Sequence, residues 1–146
     1  MILSTEIRES QIHGYWDEYL KGGVTTSEFA IFMAYDAETA FINGADLSAI
    51  LAACATIETY LRTESIGDAK ASFTFKELID RSVFSNKLKD ELETLRIYRN
   101  RWVHVRDPSD DGKLISHPHV ISSQIAGYAD LAMRCMIQSL CSNPWV

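Results

Sequence analysis

The chain has 146 residues, 47% of them hydrophobic, and a formal net charge of −6. That length fits one domain spanning residues 1–146, with enough apolar material for a real core. The acidic balance argues against broad, non-specific coating of nucleic acid and leaves room for a local basic pocket.

All three prolines lie beyond Asp107, so no proline breaks the first 107 residues. A first helix is expected over 3–20, with Leu3, Ile7, Trp16, Tyr19 and Leu20 as its apolar set and Gly22-Gly23 after it. Thr25 stands three residues before Glu28, a capping-box pattern ahead of a second helix over about 27–43, with Phe32, Tyr35, Thr39 and Ile42 on one side. Asn43-Gly44 is a stop signal, and Asp46 is placed to cap a third helix over roughly 47–63. That helix carries a seam of Leu47, Leu51, Cys54, Glu58 and Leu61, with an acid set into it. Gly67 marks the break that follows, and Thr74 and Glu77 repeat the capping-box spacing before a short helix over about 75–83. The next helix starts near Asn86 and carries Leu88, Leu92, Leu95, Arg99 and Trp102 in line; Pro108 ends it by about Arg106. After a polar loop, a last helix covers roughly 119–141, burying Ile121, Ile125, Tyr128, Leu131, Ala132 and Cys135. The tail SNPWV is expected to fray unless Trp145 docks, and no credible strand stands out. The expected fold is an all-α, antiparallel helical bundle with four main helices and one or two accessory ones.

Cys54, Cys135 and Cys141 form no close pair and no CxxC, so Cys54 and Cys135 read as small core residues in a reducing compartment. The apolar start MILS is too short for a signal peptide, and no run reaches transmembrane length. A cytoplasmic protein without a membrane partner is the expectation.

The stretch Leu95–Asp107 concentrates Arg96, Arg99, Arg101 and Arg106 around His104, with no acid between Glu93 and Asp107. Asn100 and His104 are four apart and share one side of a helix; Arg99 lies about 140° from His104 around the axis. Charge on an inward-tending stripe is costly unless it is paired or borders a hydrated groove. Such a group suits a phosphodiester. Arginine holds phosphate oxygens and stabilises charge developing in the transition state, and histidine as a side-chain type moves protons near neutral pH. On RNA the 2′-hydroxyl is an internal nucleophile, so cleavage needs no metal. One histidine does not easily serve as both base and acid; a symmetric dimer supplies two. The competing reading is ordinary surface or salt-bridged arginines, with Arg106 simply favoured at a helix C-terminus.

RNRWVH, in a late helix of a small bundle, resembles the signature of HEPN domains: arginine, a polar residue that is often asparagine, three residues, then histidine. Here these are Arg99, Asn100 and His104. LAACATIETYLR resembles the family's first large core helix, and the likeness covers about residues 27–141. The resemblance implies a helical bundle, usually a homodimer, often a metal-independent RNase acting as a toxin or defence effector. It further implies RNA or a nucleotide as ligand and, in some branches, a nucleotidyltransferase-like antitoxin as partner. In one branch a tyrosine two positions after the histidine is modified; Arg106 stands there, which argues against that chemistry in this chain.

Around the motif, Glu58 either orients Arg99 or makes a structural salt bridge, and Glu38 is a weaker version of the same idea. Arg96, Arg101 and Arg106 are candidates for substrate contact, with solvent-facing solubility roles as the plainer reading of Arg96 and Arg101. Trp102 either packs or borders a bound base. His117 and His119, with Asp107, Asp110 and Asp111, match no specific metal motif, so neither a metal nor a cofactor is expected. Trp16, Tyr19, Phe32, Tyr35, Phe41 and Tyr128 read as core or dimer packing. Three functions stay open: a metal-independent endoribonuclease with Arg99, Asn100 and His104 in its site, a non-catalytic HEPN nucleotide-binding or interaction module, and a structural helical assembly protein.

Overall fold

Serine and threonine hydroxyls start four of the helices, each taking up an N–H group that the first turn leaves without an intrahelical partner. Ser4 caps α1 (Thr5–Tyr19), Ser27 caps α2 (Glu28–Ile42), Thr74 caps α4 (Phe75–Arg81) and Ser85 caps α5 (Asn86–Val103). Before α4 the capping box is complete, because Glu77 also reaches back to the Thr74 N–H. α3 (Asp46–Tyr60) and α6 (Pro118–Leu140) follow Ala45 and His117, neither of which makes a side-chain cap bond. The structure, a computed structural model, describes residues 3–24, 26–65, 72–105, 114–142 and 144–145, with 65, 144 and 145 described by their backbone.

The fold is all-helical apart from one small ribbon. Gly23–Val24 (β1) pairs antiparallel with Pro144–Trp145 (β2), so the tail backbone docks beside the end of α1. Gly44, at φ +81°, supplies the left-handed residue that ends α2 and turns the chain into α3. α3 is the central helix: it packs against α2, α5 and α6. Its last turn widens into a π-helical segment, Leu61–Ser65, that touches α4. The core is built on Ile50, Cys54, Ile57 and Leu61 of α3, Leu88, Leu92 and Leu95 of α5, and Met133, Met136, Ile137 and Leu140 of α6.

Helix positions agree closely with the expected ones; the β1–β2 ribbon was not expected, and three further local expectations fail. The first concerns α2, where Phe32 is 72% and Tyr35 60% exposed, whereas Ala30, Ala34, Ala37 and Phe41 are buried. This seam has spacings of four, three and four; α2 packs mainly on α3, which buries Ala49 and Ala53, and small side chains let two helices approach closely. The second concerns caps. Ser27 fills the N-cap of α2, with Thr25 outside the described residues, and Asp46 is the first residue of α3 instead of its cap. The third concerns α1, whose inward stripe is Arg8 and Ile12, flanked by Tyr15, Trp16 and Tyr19, while Ile7 and Leu20 are exposed.

Arg8 is 3% exposed. Its Nη1 donates to the Phe41 carbonyl at 2.7 Å, and both Nη atoms meet the Asp46 carboxylate, Nη2 at 3.1 Å from Oδ2. The guanidinium also lies 4.7 Å from the Phe41 ring centroid. One fork thus ties α1 to the end of α2 and the start of α3.

Candidate functional site

The apolar stripe of α5 runs Leu88, Leu92, Leu95 and then reaches Arg99 and Trp102 where the helix leaves the core. Arg99 is half-buried, with Cζ 5.3 Å from the Phe75 ring centroid. Its Nε is shielded from solvent and has no hydrogen-bond partner among the described residues. The same holds for Oδ1 of Asn100 and Nε1 of Trp102. Three polar atoms of this kind within four consecutive residues are costly, at about 1–3 kcal/mol each when left unsatisfied.

His104 is the C-cap of α5. Its N–H donates to the Asn100 carbonyl at 2.9 Å, its backbone leaves helical geometry at φ −130° and ψ 64°, and its side chain is exposed. Asn100 and His104 are joined through the backbone; α5 ends at Val103, short of the expected Arg106, so His104 does not continue the helix face that carries Asn100. Arg99 leans toward Phe75 and the α3 side.

Tyr98 anchors this end of the helix to α6. Its ring stacks on Tyr128 at 3.7 Å, and its hydroxyl donates to Gln124 Oε1 at 3.1 Å. Trp102 meets Tyr98 edge-on at 6.3 Å, so Trp102 is a packing residue whose indole N–H is left over. An Arg134–Glu91 ion pair fixes the other end, which sets α5 antiparallel to α6. Ile97 and Val103 of α5, Val120 of α6 and Val105, just beyond α5, are all exposed.

Glu58 of α3 is half-buried and forms no hydrogen bond or ion pair among the described residues. It shares a neighbourhood with Arg99 through Cys54: burial pushes that thiol up to about 12, with Arg99 pulling it down and Glu58 adding to the rise. Arg96 is engaged rather than open to solvent, because its Nε and Nη2 clasp Glu93 at 2.8 and 2.6 Å. Hydrogen bonding from Arg96 is the largest influence holding the Glu93 carboxyl below its usual range. Arg101 is exposed. Arg106, with Asp107, Asp110 and Asp111, lies outside the described residues.

Among the described residues, no group of three or more His, Cys, Asp or Glu is arranged to hold a metal ion. His117 contacts the Ser116 hydroxyl at 3.0 Å and His119 is exposed in the first turn of α6. Glu38 is far more engaged than its sequence position suggested: its Oε1 accepts from the Trp16 indole at 2.7 Å. Arg8 is a buried charge that apolar periodicity alone does not single out; its place four residues before Ile12 on one stripe is the available signal.

Comparison of the chain with protein families, with curated proteins and with solved structures gave no significant match. No described helix is long and apolar enough to cross a membrane.

Proposed function

We propose that this chain is a metal-independent endoribonuclease of the HEPN type, working as a homodimer with Arg99, Asn100 and His104 of each copy facing one groove. The observation that carries the reading is the concentration of unpartnered polar atoms on Arg99, Asn100 and Trp102 beside an exposed His104. A folded chain tolerates such groups where a ligand or a second subunit completes them. The exposed Ile97, Val103, Val105 and Val120 around the motif supply apolar surface for that second copy.

In this mechanism His104 of one copy takes the proton of a 2′-hydroxyl. The 2′-oxygen attacks phosphorus and the bond from phosphorus to the 5′-oxygen breaks. The histidine of the second copy protonates the leaving 5′-oxygen, giving a 2′,3′-cyclic phosphate and a 5′-hydroxyl. The Arg99 guanidinium turns from Phe75 to the phosphate and stabilises its developing charge, and Asn100 positions the reacting groups. The biological setting that goes with this activity is a toxin or defence effector in the cytoplasm, held in check by a nucleotidyltransferase-like antitoxin.

A second reading, a non-catalytic nucleotide-binding or assembly module, draws on the seating of Arg99 over Phe75, which suits a structural arginine. Incubation of a broad RNA panel with wild type, Arg99→Ala and His104→Ala in EDTA separates the two. Cleavage by wild type alone is expected; an inert wild type favours the second reading, and full cleavage by both variants removes Arg99 and His104 from the mechanism.

A further inference from the structure

We propose that the cavity between α1, α2 and β1 binds a small organic cation, an ammonium group on a hydrocarbon body, with Glu38 as its counter-ion. The cavity has a volume of about 560 Å³, within the range of small-molecule sites. Its walls are largely apolar, formed by Ile12, Leu20, Val24, Ile31 and Ile42. Trp16 and Tyr35 add aromatic surface, which attracts cations through the ring quadrupole.

Polar groups decide the sign of the ligand. Glu38 is half-buried on this cavity and its only hydrogen bond among the described residues comes from the Trp16 indole, 2.7 Å from Oε1. Burial raises the Glu38 carboxyl above its ordinary range; the Trp16 bond and the charge of His13 act the other way and fall short. Glu9 brings a second acid to the cavity; His13 is the one basic side chain among the described lining residues, which include no lysine or arginine. Thr26 also lines it, with an Oγ1 that is shielded and has no partner, an acceptor for an ammonium N–H. A neutral apolar ligand would seal the Glu38 charge off further from water, and an anion would repel it. Glu9, His13 and Glu38 are not arranged to hold a metal ion, as no group of three or more His, Cys, Asp or Glu among the described residues is.

The test is titration of the full-length protein with 2-phenylethylammonium chloride, followed through the Trp16 indole N–H and the Gly23 amide by NMR. Saturable shifts at both positions are expected below about 10 mM. The uncharged 2-phenylethanol is expected to bind at least about tenfold more weakly, and Glu38→Gln, which keeps an acceptor for Trp16, to lose the amine by about the same factor. N-acetyl-lysine amide presents the same cation as a protein side chain would, and it is also expected to bind about tenfold more weakly. Equal binding of amine and alcohol, no binding by wild type, or undiminished binding by a folded Glu38→Gln overturns the proposal. Equal binding of the lysine amide overturns the small-ligand assignment in favour of a protein partner. Should Glu38→Gln fail to fold, the amine-to-alcohol ratio on wild type decides alone.

Discussion

The N–H of His104 donates to the carbonyl of Asn100 at 2.9 Å, and that bond closes α5. The imidazole is thereby carried out of the helix while the Asn100 side chain stays half-buried with its Oδ1 unpartnered. If Oδ1 is held for a substrate or a second copy, stability and activity should part company. Asn100→Ala is expected to leave unfolding stability unchanged within about 0.5 kcal/mol or to raise it, because an unsatisfied acceptor is removed. RNA cleavage by the same variant is expected to fall about tenfold or more. Urea denaturation and initial cleavage rates measured on one preparation check both halves.

Arg8 and Asp46 form the most enclosed ion pair among the described residues, with side chains 4% and 15% exposed. Removing one partner strands a charge away from water. Arg8→Ala and Asp46→Ala are each expected to cost about 3–5 kcal/mol, and the double variant Arg8→Met/Asp46→Leu much less than their sum. A denaturant double-mutant cycle measures the coupling.

The seam of α2 can be tested by substitutions that a bulk-based reading ranks the wrong way round. Ala34→Leu places a large side chain where α2 and α3 meet and is expected to cost about 1–3 kcal/mol. Phe32→Ser changes a side chain that is 72% exposed and is expected to alter monomer stability by less than about 0.5 kcal/mol. Thermal melts of the two variants at low protein concentration report the contrast.

Glu38 gives a pH dependence whose sign follows from burial. Its carboxyl titrates above the ordinary range in the folded chain, so the folded state holds the proton longer than the unfolded state does. The associated stability is fully present below the unfolded value and is lost as pH rises through the folded one. Glu38→Gln carries no titration, and its stability relative to wild type is expected to grow as pH rises above the ordinary carboxylate range. Paired urea midpoints over a series of rising pH values read the difference directly; a constant gap contradicts it.

Much of the fold was legible because local signals agreed with one another. Thr74 and Glu77 mark the start of a short helix, and Asn43-Gly44 stops a helix as its chemistry requires. The buried side of α2 was not legible because bulk pointed to Phe32 and Tyr35, whereas close approach of two helices selects Ala30, Ala34 and Ala37. Arg8 was hidden for a related reason: a charge on an apolar stripe looks misplaced until its acid, 38 residues away in sequence, is brought to it. At the candidate site, the sequence placed Arg99, Asn100 and His104 near the end of one helix, and α5 carries Arg99 and Asn100 with His104 as its C-cap. That Arg99 lies over Phe75 depends on where α4 packs, which no local pattern encodes. The clasp of Arg96 on Glu93, by contrast, is an i, i+3 pair and stood in the sequence.

The central claim is that Arg99 and His104 drive attack of a 2′-hydroxyl on the neighbouring phosphate. Its most direct test is product analysis of a defined RNA cut by wild type in EDTA, beside the same RNA carrying 2′-deoxyribose at the cleaved position. The account predicts 2′,3′-cyclic phosphate and 5′-hydroxyl ends, no cleavage of the deoxy-substituted site, and a loss of at least about a hundredfold in His104→Ala. Cleavage of the deoxy-substituted site at the normal rate, or an undiminished rate in His104→Ala, contradicts it.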